Sequence, residues 1–228
     1  MINLNQCSLC FSRNLKLFFE SDRKNLIRNY FRCEICNLVF VPSDFHLDDH
    51  QEKQRYLEHE NFPYDTEYRN FLNRLKSQID PLININSIGL DFGCGPAPTL
   101  SLMFEEEGLK MNTYDKYFAD EKKYLDELYD FVVCSETIEH FKDVKFEFDR
   151  LFKLLQPKGL LGLMTSIFYE DIEFSDWHYK LDPTHIAFYS PQTIEFIENF
   201  WDWEIILKKK NIVTVSYTHL TLPTILLV

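Results

Sequence analysis

A chain of 228 residues, 45% of them hydrophobic, is long enough to bury one good core with a small appendage. A formal net charge of −12 and a pI near 5.0 argue against holding nucleic acid on a broad basic surface. No run approaches the ~18 apolar residues of a membrane span, and the start, MINLNQCSLC, lacks a signal peptide's basic and apolar regions. A soluble, cytoplasmic protein is expected.

Residues 1–44 read as a small metal module. Cys7-Ser-Leu-Cys10 and Cys33-Glu-Ile-Cys36 are separated by 22 residues. Leu15 to Phe19 and Ile27 to Phe31 between them look like short strands around a polar turn. Two such knuckles joined by a hairpin bring four thiolates into a tetrahedron, which suits structural zinc and leaves no open position for substrate. So short a segment cannot build a sufficient core, and metal substitutes for one. A metal-lost ribbon and a redox pair are the alternatives. The module is modestly basic through Arg13, Lys16, Arg23, Lys24, Arg28 and Arg32, which admits contact with RNA. The acidic remainder favours a docking platform or lid instead.

Residues 45–86 form a helical connector. Asp48 to Glu60 is charged and helix-compatible, Asn61 to Asp65 breaks it, and a second helix places Tyr68, Phe71, Leu72, Leu75 and Ile79 on one apolar face before Pro81. Tyr56 and His59 share a helical face, and either line a mouth or sit on the surface.

From Ser87 an α/β pattern runs: strand 87–92, helix 98–107, strand 110–114, strand 129–134, helix 144–155, strand 160–165, an aromatic-rich loop 166–189, helix 191–200 and a hairpin of 203–208 and 211–213. Strand, glycine turn and helix over Leu90-Asp-Phe-Gly-Cys-Gly-Pro-Ala-Pro-Thr-Leu100 open a doubly wound sheet, and the turn is where such folds bind a nucleotide.

The tail is anomalous. Val215 to Thr224 back-translates to GTC TCT TAT ACA CAT CTG ACG CTG CCG ACG, which matches the transposon adapter of a sequencing-library chemistry. Residues 214–228 are therefore expected to be adapter read-through, with native sequence ending at Val213 and the last strand cut short. A genuine strand is the alternative, because Val213, Val215, Tyr217, His219 and Thr221 alternate.

Asp115 lies 20 residues beyond Gly95 at the end of the second strand, where an acid accepts hydrogen bonds from an adenosine ribose. It also has a plain reading as a turn acid. A dinucleotide fingerprint would need a third small residue where Pro98 stands, and Pro96 and Pro98 remove N–H donors that a pyrophosphate would use. An adenosine ligand without phosphates, S-adenosylmethionine (SAM), fits better than NAD. Its sulfonium cation also suits acidic and aromatic surroundings.

These stretches resemble the class I SAM-dependent methyltransferases. Asp91-Phe-Gly-Cys-Gly95 is similar to their first motif, Tyr114-Asp115 to their second, Tyr129 to His140 to their fourth, and Leu155 to Leu160 to the turn after it. The two CxxC pairs and Trp177-His-Tyr-Lys-Leu-Asp-Pro-Thr-His185 resemble a bacterial subgroup with an N-terminal zinc ribbon. The resemblance implies a Rossmann-like methyltransferase sheet over residues 87–213. Only 13 residues lie between Asp115 and Tyr129, so its third strand is expected to be short or absent. By the topology of the family the last strand inserts between the fifth and sixth, and truncation at Val213 would leave its neighbours poorly paired.

The resemblance further implies that Gly93, Cys94 and Gly95 admit the methionine part of SAM, that Asp91 faces its amino group through water, and that Asp115 holds the ribose. Cys134, Ser135 and Glu136 fall at the end of the fourth strand, beside the crevice, although a lone cysteine is more often a small buried residue. An oxygen or nitrogen acceptor must lose a proton, for which His140 and His185 are the candidates; His140 could equally anchor its helix. In the loop where the family admits its acceptor, Trp177, Tyr179, Asp182 and Tyr189 either wall a substrate pocket or pack the core. The expected activity is methyl transfer to a small-molecule or carbohydrate-type acceptor. A zinc-ribbon binding protein that holds SAM without catalysis, and an RNA methyltransferase, are the alternatives.

Overall fold

The computed structural model describes residues 6–24, 26–58, 62–209 and 211–216. His59 and residues 217–228 of the anomalous tail lie outside the described residues.

Ten strands and five α-helices are described. They are β1 (Leu15–Ser21), β2 (Arg28–Cys33), β3 (Val39–Phe40), α1 (Asp49–Leu57), α2 (Thr66–Ile79), β4 (Ile88–Phe92), α3 (Thr99–Glu105), β5 (Lys110–Tyr114), β6 (Tyr129–Ser135), α4 (Val144–Lys153), β7 (Leu155–Met164), β8 (Ala187–Phe188), α5 (Pro191–Trp201), β9 (Glu204–Lys209) and β10 (Ile212–Ser216).

A six-stranded sheet in the order β5-β4-β6-β7-β10-β9 forms the centre. The first four strands are parallel, and β10 runs antiparallel to both β7 and β9. Alternation along the strands sorts the core into two layers. Phe131, Val133, Leu160 and Met164 pack on one face against Leu72, Leu75 and Ile79 of α2 and Leu100, Met103 and Phe104 of α3. Val132, Leu161, Leu163 and Val213 pack on the other against Phe148 and Leu151 of α4 and Ile194 and Ile197 of α5.

Residues 116–128 supply no strand, only a tight turn closed by an Asp115–Ala119 bridge and a 3-10 turn at Lys122–Leu125, so β5 is the sheet edge and the third strand is absent. Thirteen residues cannot fold a helix, a strand and a return. The last strand is longer than anticipated: β10 pairs from Ile212 to Ser216 with Leu160–Met164 on one side and with β9 on the other. Thr214 and Val215 are buried there, because a β-branched alternating run continues a strand irrespective of its origin. The junction after α4 also differs, since β7 starts at Leu155 rather than at 160.

The N-terminal module is less separate than its sequence suggests. β1, β2 and β3 form an antiparallel sheet whose fourth strand is β8, from the long loop after β7. Val39 pairs with Phe188 and Phe40 with Ala187, which covers an edge that would otherwise be open.

Candidate functional site

β4 delivers the chain to two glycines in left-handed conformations, Gly93 at φ +79° and Gly95 at φ +65°. The N–H groups of Gly93 and Cys94 both donate to the Tyr114 carbonyl, at 2.7 and 3.2 Å, which hooks the loop over the end of β5. A Cβ on Gly93 would stand 2.2 Å from Thr137 Cγ2, whereas one on Gly95 would meet nothing within 4 Å. The first glycine permits packing of the loop, and the second leaves open space above it.

That space is a cavity of about 730 Å³, within the ~300–1,000 Å³ of small-molecule sites. Asp91, Gly93, Cys94, Gly95 and Asp115 line it together with Ser135 and Glu136 and with His140, Asp182 and His185. The structure thus brings ten of the sequence-derived candidates around one cavity. Asp115 is used by the backbone as well: its Oδ2 accepts from Gly95 N at 3.0 Å, and its Oδ1 accepts from Tyr117 N and Phe118 N at 2.8 and 3.1 Å. The turn role leaves room for a ligand on one oxygen, since Oδ2 accepts a single described hydrogen bond and retains a second lone pair.

Asp91 is 3% exposed, and its described hydrogen-bond partner is the Ser101 hydroxyl at 3.2 Å. Burial pushes its carboxyl up to about 7. A buried acid with no described cationic partner fits a ligand that carries a positive group. Together with the open face of Gly95 and the two prolines, it makes the residues present a good match to SAM.

Glu136 holds a left-handed backbone, φ +49°, at the turn leaving β6. Burial, reinforced by Glu139, pushes its carboxyl up to about 8. The Tyr179 hydroxyl lies 2.5 Å from Glu139 Oε1 and 3.1 Å from Glu136 Oε2, and one phenolic proton cannot serve both. The closer carboxyl takes it, and a proton on Glu136 completes the second contact. His140 Nδ1 lies 3.0 Å from the Thr184 carbonyl and His185 Nδ1 2.7 Å from that of Tyr179. Burial, then the neighbouring His140, pushes His185 down to about 4.

α1 roofs the cavity. Arg55 donates to Asp182 Oδ2 from Nε and Nη2 at 3.1 and 2.9 Å, and Lys142 pairs with the buried Glu52 at 2.8 Å. Burial would raise Asp182, but hydrogen bonds from Thr184 and Arg55 hold its carboxyl below the usual range. Tyr56 sets its ring 5.1 Å from that of His140 at 85°, on the cavity wall rather than the surface.

Four candidates lie elsewhere. Trp177 is 7% exposed and packs among Phe168, Phe174 and Phe188, in the aromatic cluster that joins the loop to the N-terminal sheet. Tyr189 is fully buried and donates to the Ile138 carbonyl at 2.9 Å, which fastens the turn after β6. Cys134 is fully buried in β6, where the strand's alternation points it into the core. Tyr179 directs its hydroxyl at the two glutamates and is a support for them. Glu52 and the α2 residues Tyr68 and Phe71, which line the cavity, and the fully buried Glu139 were missed as site residues; Glu139 sits three residues after Glu136 and directly before His140.

The four cysteines of the module converge as their spacing implies. All four Sγ atoms lie within 4.8 Å of one another, against an S···S edge of about 3.8 Å for a zinc tetrathiolate. Both knuckles turn alike: Phe11 N donates to Cys7 O and Asn37 N to Cys33 O, each at 3.0 Å, and both donors have φ +58°. This donor set can hold a zinc ion. Its four thiolates would complete the coordination, which makes the site structural.

The comparison with curated proteins found no match. Among solved structures, a SAM-dependent methyltransferase from Archaeoglobus fulgidus is 17% identical, aligning 65% of this chain with 93% of its own at a TM-score of 0.51. Magnesium protoporphyrin IX methyltransferase from Synechocystis PCC 6803, solved with bound S-adenosylhomocysteine, is 13% identical over 76% of this chain and 96% of its own, at 0.53. The 1,6-didemethyltoxoflavin-N1-methyltransferase of Burkholderia thailandensis is 12% identical over 80% and 96%, at 0.51. These likenesses establish the fold, and no helix among the described residues is long and apolar enough to cross a membrane. The family described as a methyltransferase domain matches residues 58–197, more than half of the sequence. With its glycine loop, Asp115 and cavity, the chain belongs to that family and is a SAM-dependent methyltransferase.

Proposed function

We propose that the chain methylates a small-molecule or carbohydrate-type acceptor, which enters beneath α1 and meets the methyl group beside His140 and His185. The observation that carries this reading is the continuity of one cavity from the Gly93–Gly95 loop and Asp115 to the two histidines. In it, Asp115 holds the ribose, Asp91 faces the amino group, and Cys94, Ser135 and Glu136 line the passage between cofactor and acceptor. When bound, SAM supplies an electrophilic methyl on a sulfonium, which an acceptor lone pair takes as the carbon–sulfur pair stays on sulfur.

The protein's share is alignment, exclusion of water and removal of the acceptor proton. Glu52, Arg55 and Tyr56 of α1 close over the acceptor end and confine it, which favours in-line attack. His140 and His185 provide the ring nitrogens through which the acceptor proton is drawn off. Asp182 fixes α1 through Arg55 and positions the His185 loop through Thr184.

The test is a calorimetric titration with SAM followed by a screen for transfer of a labelled methyl group to sugars, quinols, amines and RNA. Asp115→Ala is expected to weaken SAM about a hundredfold, near 2.7 kcal/mol. Asp115→Asn, which keeps one carbonyl acceptor for the loop N–H groups, separates ligand loss from loop collapse. Equal affinity of parent and both variants would sink the assignment of the ribose site. Transfer to RNA alone would overturn the acceptor class.

A further inference from the structure

Beside the two histidines of the cavity lies a buried carboxylate with no lysine or arginine in contact among the described residues. Glu139 is 0% exposed, yet its two oxygens are met by hydroxyls, Tyr179 at 2.5 Å and Thr165 at 2.9 Å. No lysine or arginine pairs with Glu139 or Glu136 among the described residues; the charged-group contact of Glu139 is His140 Nε2, 3.9 Å from Oε1. A carboxylate taken out of water without a cationic partner is costly, and such groups in proteins are paired or ligate a metal.

The two histidines are pre-set in a matching way. A backbone carbonyl only accepts, so the contacts with Thr184 O and Tyr179 O place a proton on Nδ1 of both His140 and His185. In the neutral rings this leaves both Nε2 lone pairs free. An imidazole whose other nitrogen is tied to a carbonyl, beside a carboxylate held by hydroxyls, is the outer-shell arrangement that orients metal ligands. One ligand atom from each of Glu139, His140 and His185 lies within 4.8 Å of the others.

We propose that Glu139, His140 and His185 bind one divalent transition-metal ion at the acceptor end of the cavity, and that the acceptor is an oxygen nucleophile carried by a pair of neighbouring hydroxyls. Two imidazoles and one carboxylate suit Mn²⁺, Fe²⁺, Co²⁺ or Zn²⁺ over the oxygen-only preference of Ca²⁺. Three protein ligands leave positions open, which two adjacent hydroxyls of a diol or catechol fill together. With both Nε2 lone pairs on the ion, the histidines act on the acceptor proton through the metal and do not take it themselves: the ion withdraws charge from the ligated hydroxyl and eases loss of its proton to water. The O–H bond gives up its proton, an O–CH₃ bond forms, and the S–CH₃ bond breaks with its pair left on sulfur. The acceptor part rests on the methyltransferase reading of the same cavity; the metal part does not.

The experiment is Mn²⁺ binding followed by electron paramagnetic resonance on the full chain with its cysteine site zinc-loaded, since Mn²⁺ competes poorly for thiolates. About one Mn²⁺ per chain is expected. His185→Ala and Glu139→Gln should each weaken Mn²⁺ at least about tenfold. Tyr179→Phe, which leaves all three ligands in place, should weaken it less and serves if either ligand variant fails to fold. SAM binding, measured separately by calorimetry, should persist in the folded variants. No Mn²⁺ binding in a chain that binds SAM, or equal Mn²⁺ affinity in the parent and all folded variants, would overturn the metal site. Mn²⁺ binding without SAM binding would leave the metal site standing and overturn the methyltransferase reading of the cavity. Methyl transfer to amines with or without Mn²⁺, and none to diols or catechols, would overturn the acceptor class.

Discussion

Removing the metal from the four-cysteine site is expected to loosen the acceptor loop as well as the N-terminal module. In zinc-finger peptides such a site contributes about 10–16 kcal/mol of apparent binding free energy, which is folding free energy when no other core exists. Here the module has a partner. Cys7, Cys33 and Cys36 are buried in a core shared with Phe148 and Tyr189, and the ribbon sheet is completed by β8. Arg28, 2% exposed, donates to the carbonyls of Lys180, Asp182 and Pro183 at 2.6, 3.1 and 3.1 Å. Three loop carbonyls thus depend on a guanidinium held in place by β2, and His185 follows within the same loop. Without metal, four clustered thiols lose their only strong cross-link, and burial together with neighbouring thiols already pushes Cys10 up to about 12. Chelation, or Cys33→Ser, should lower the melting temperature by at least about 10 °C and open residues 170–189 to protease. Metal analysis should find a zinc that Mn²⁺ does not displace. A metal-free chain with an unchanged melting curve and an intact loop would refute the structural role.

This coupling marks the boundary of what the sequence discloses. The glycine loop, Asp115 and the missing third strand were legible because each is local: a turn needs glycine, an acid follows at a fixed offset, and thirteen residues are too few for three elements. The same holds for the cysteine pairs. Trp177 and Tyr189 were left between two readings because an aromatic run next to a crevice has the same pattern whether it faces a ligand or another sheet. Only the pairing of Val39 with Phe188, about 150 residues apart, decides between them. Cys134 follows from strand alternation, which turns it inward while Ser135 reaches the cavity. Glu139 was concealed differently. Its spacing from Glu136 and His140 was visible, but a short 3-10 turn at Ile138–His140, rather than an α-helix, brings it toward Tyr179 and the histidines.

Replacing Asp91 by asparagine is expected to stabilise the ligand-free protein at pH 8 and to weaken SAM binding at the same pH. The carboxyl stands near 7 in the folded chain because it is buried, against 3.8 when solvated, and Asp115 adds a smaller push in the same direction. Below about pH 4 both folded and unfolded chains carry the proton, and Asp91 costs nothing on this account. As pH rises from 4 to 7 the unfolded chain ionises first, so the unfolded state binds fewer protons and stability falls. Above 7 the folded group ionises too and the loss levels off. Three units of displacement correspond to about 4 kcal/mol, so Asp91→Asn should recover about 2–4 kcal/mol at pH 8 and almost nothing at pH 4. Asparagine keeps an oxygen for the Ser101 hydroxyl, which limits the change to charge. The cationic amino group of SAM reverses the balance, because it favours the ionised acid. SAM affinity of the parent should therefore rise with pH toward 7, with proton release seen as a buffer-dependent heat, and Asp91→Asn should abolish that release. Denaturation of parent and variant at pH 4 and pH 8 decides the matter: parallel stabilities at both would show that the buried acid is compensated within the fold and is not held in tension for the ligand.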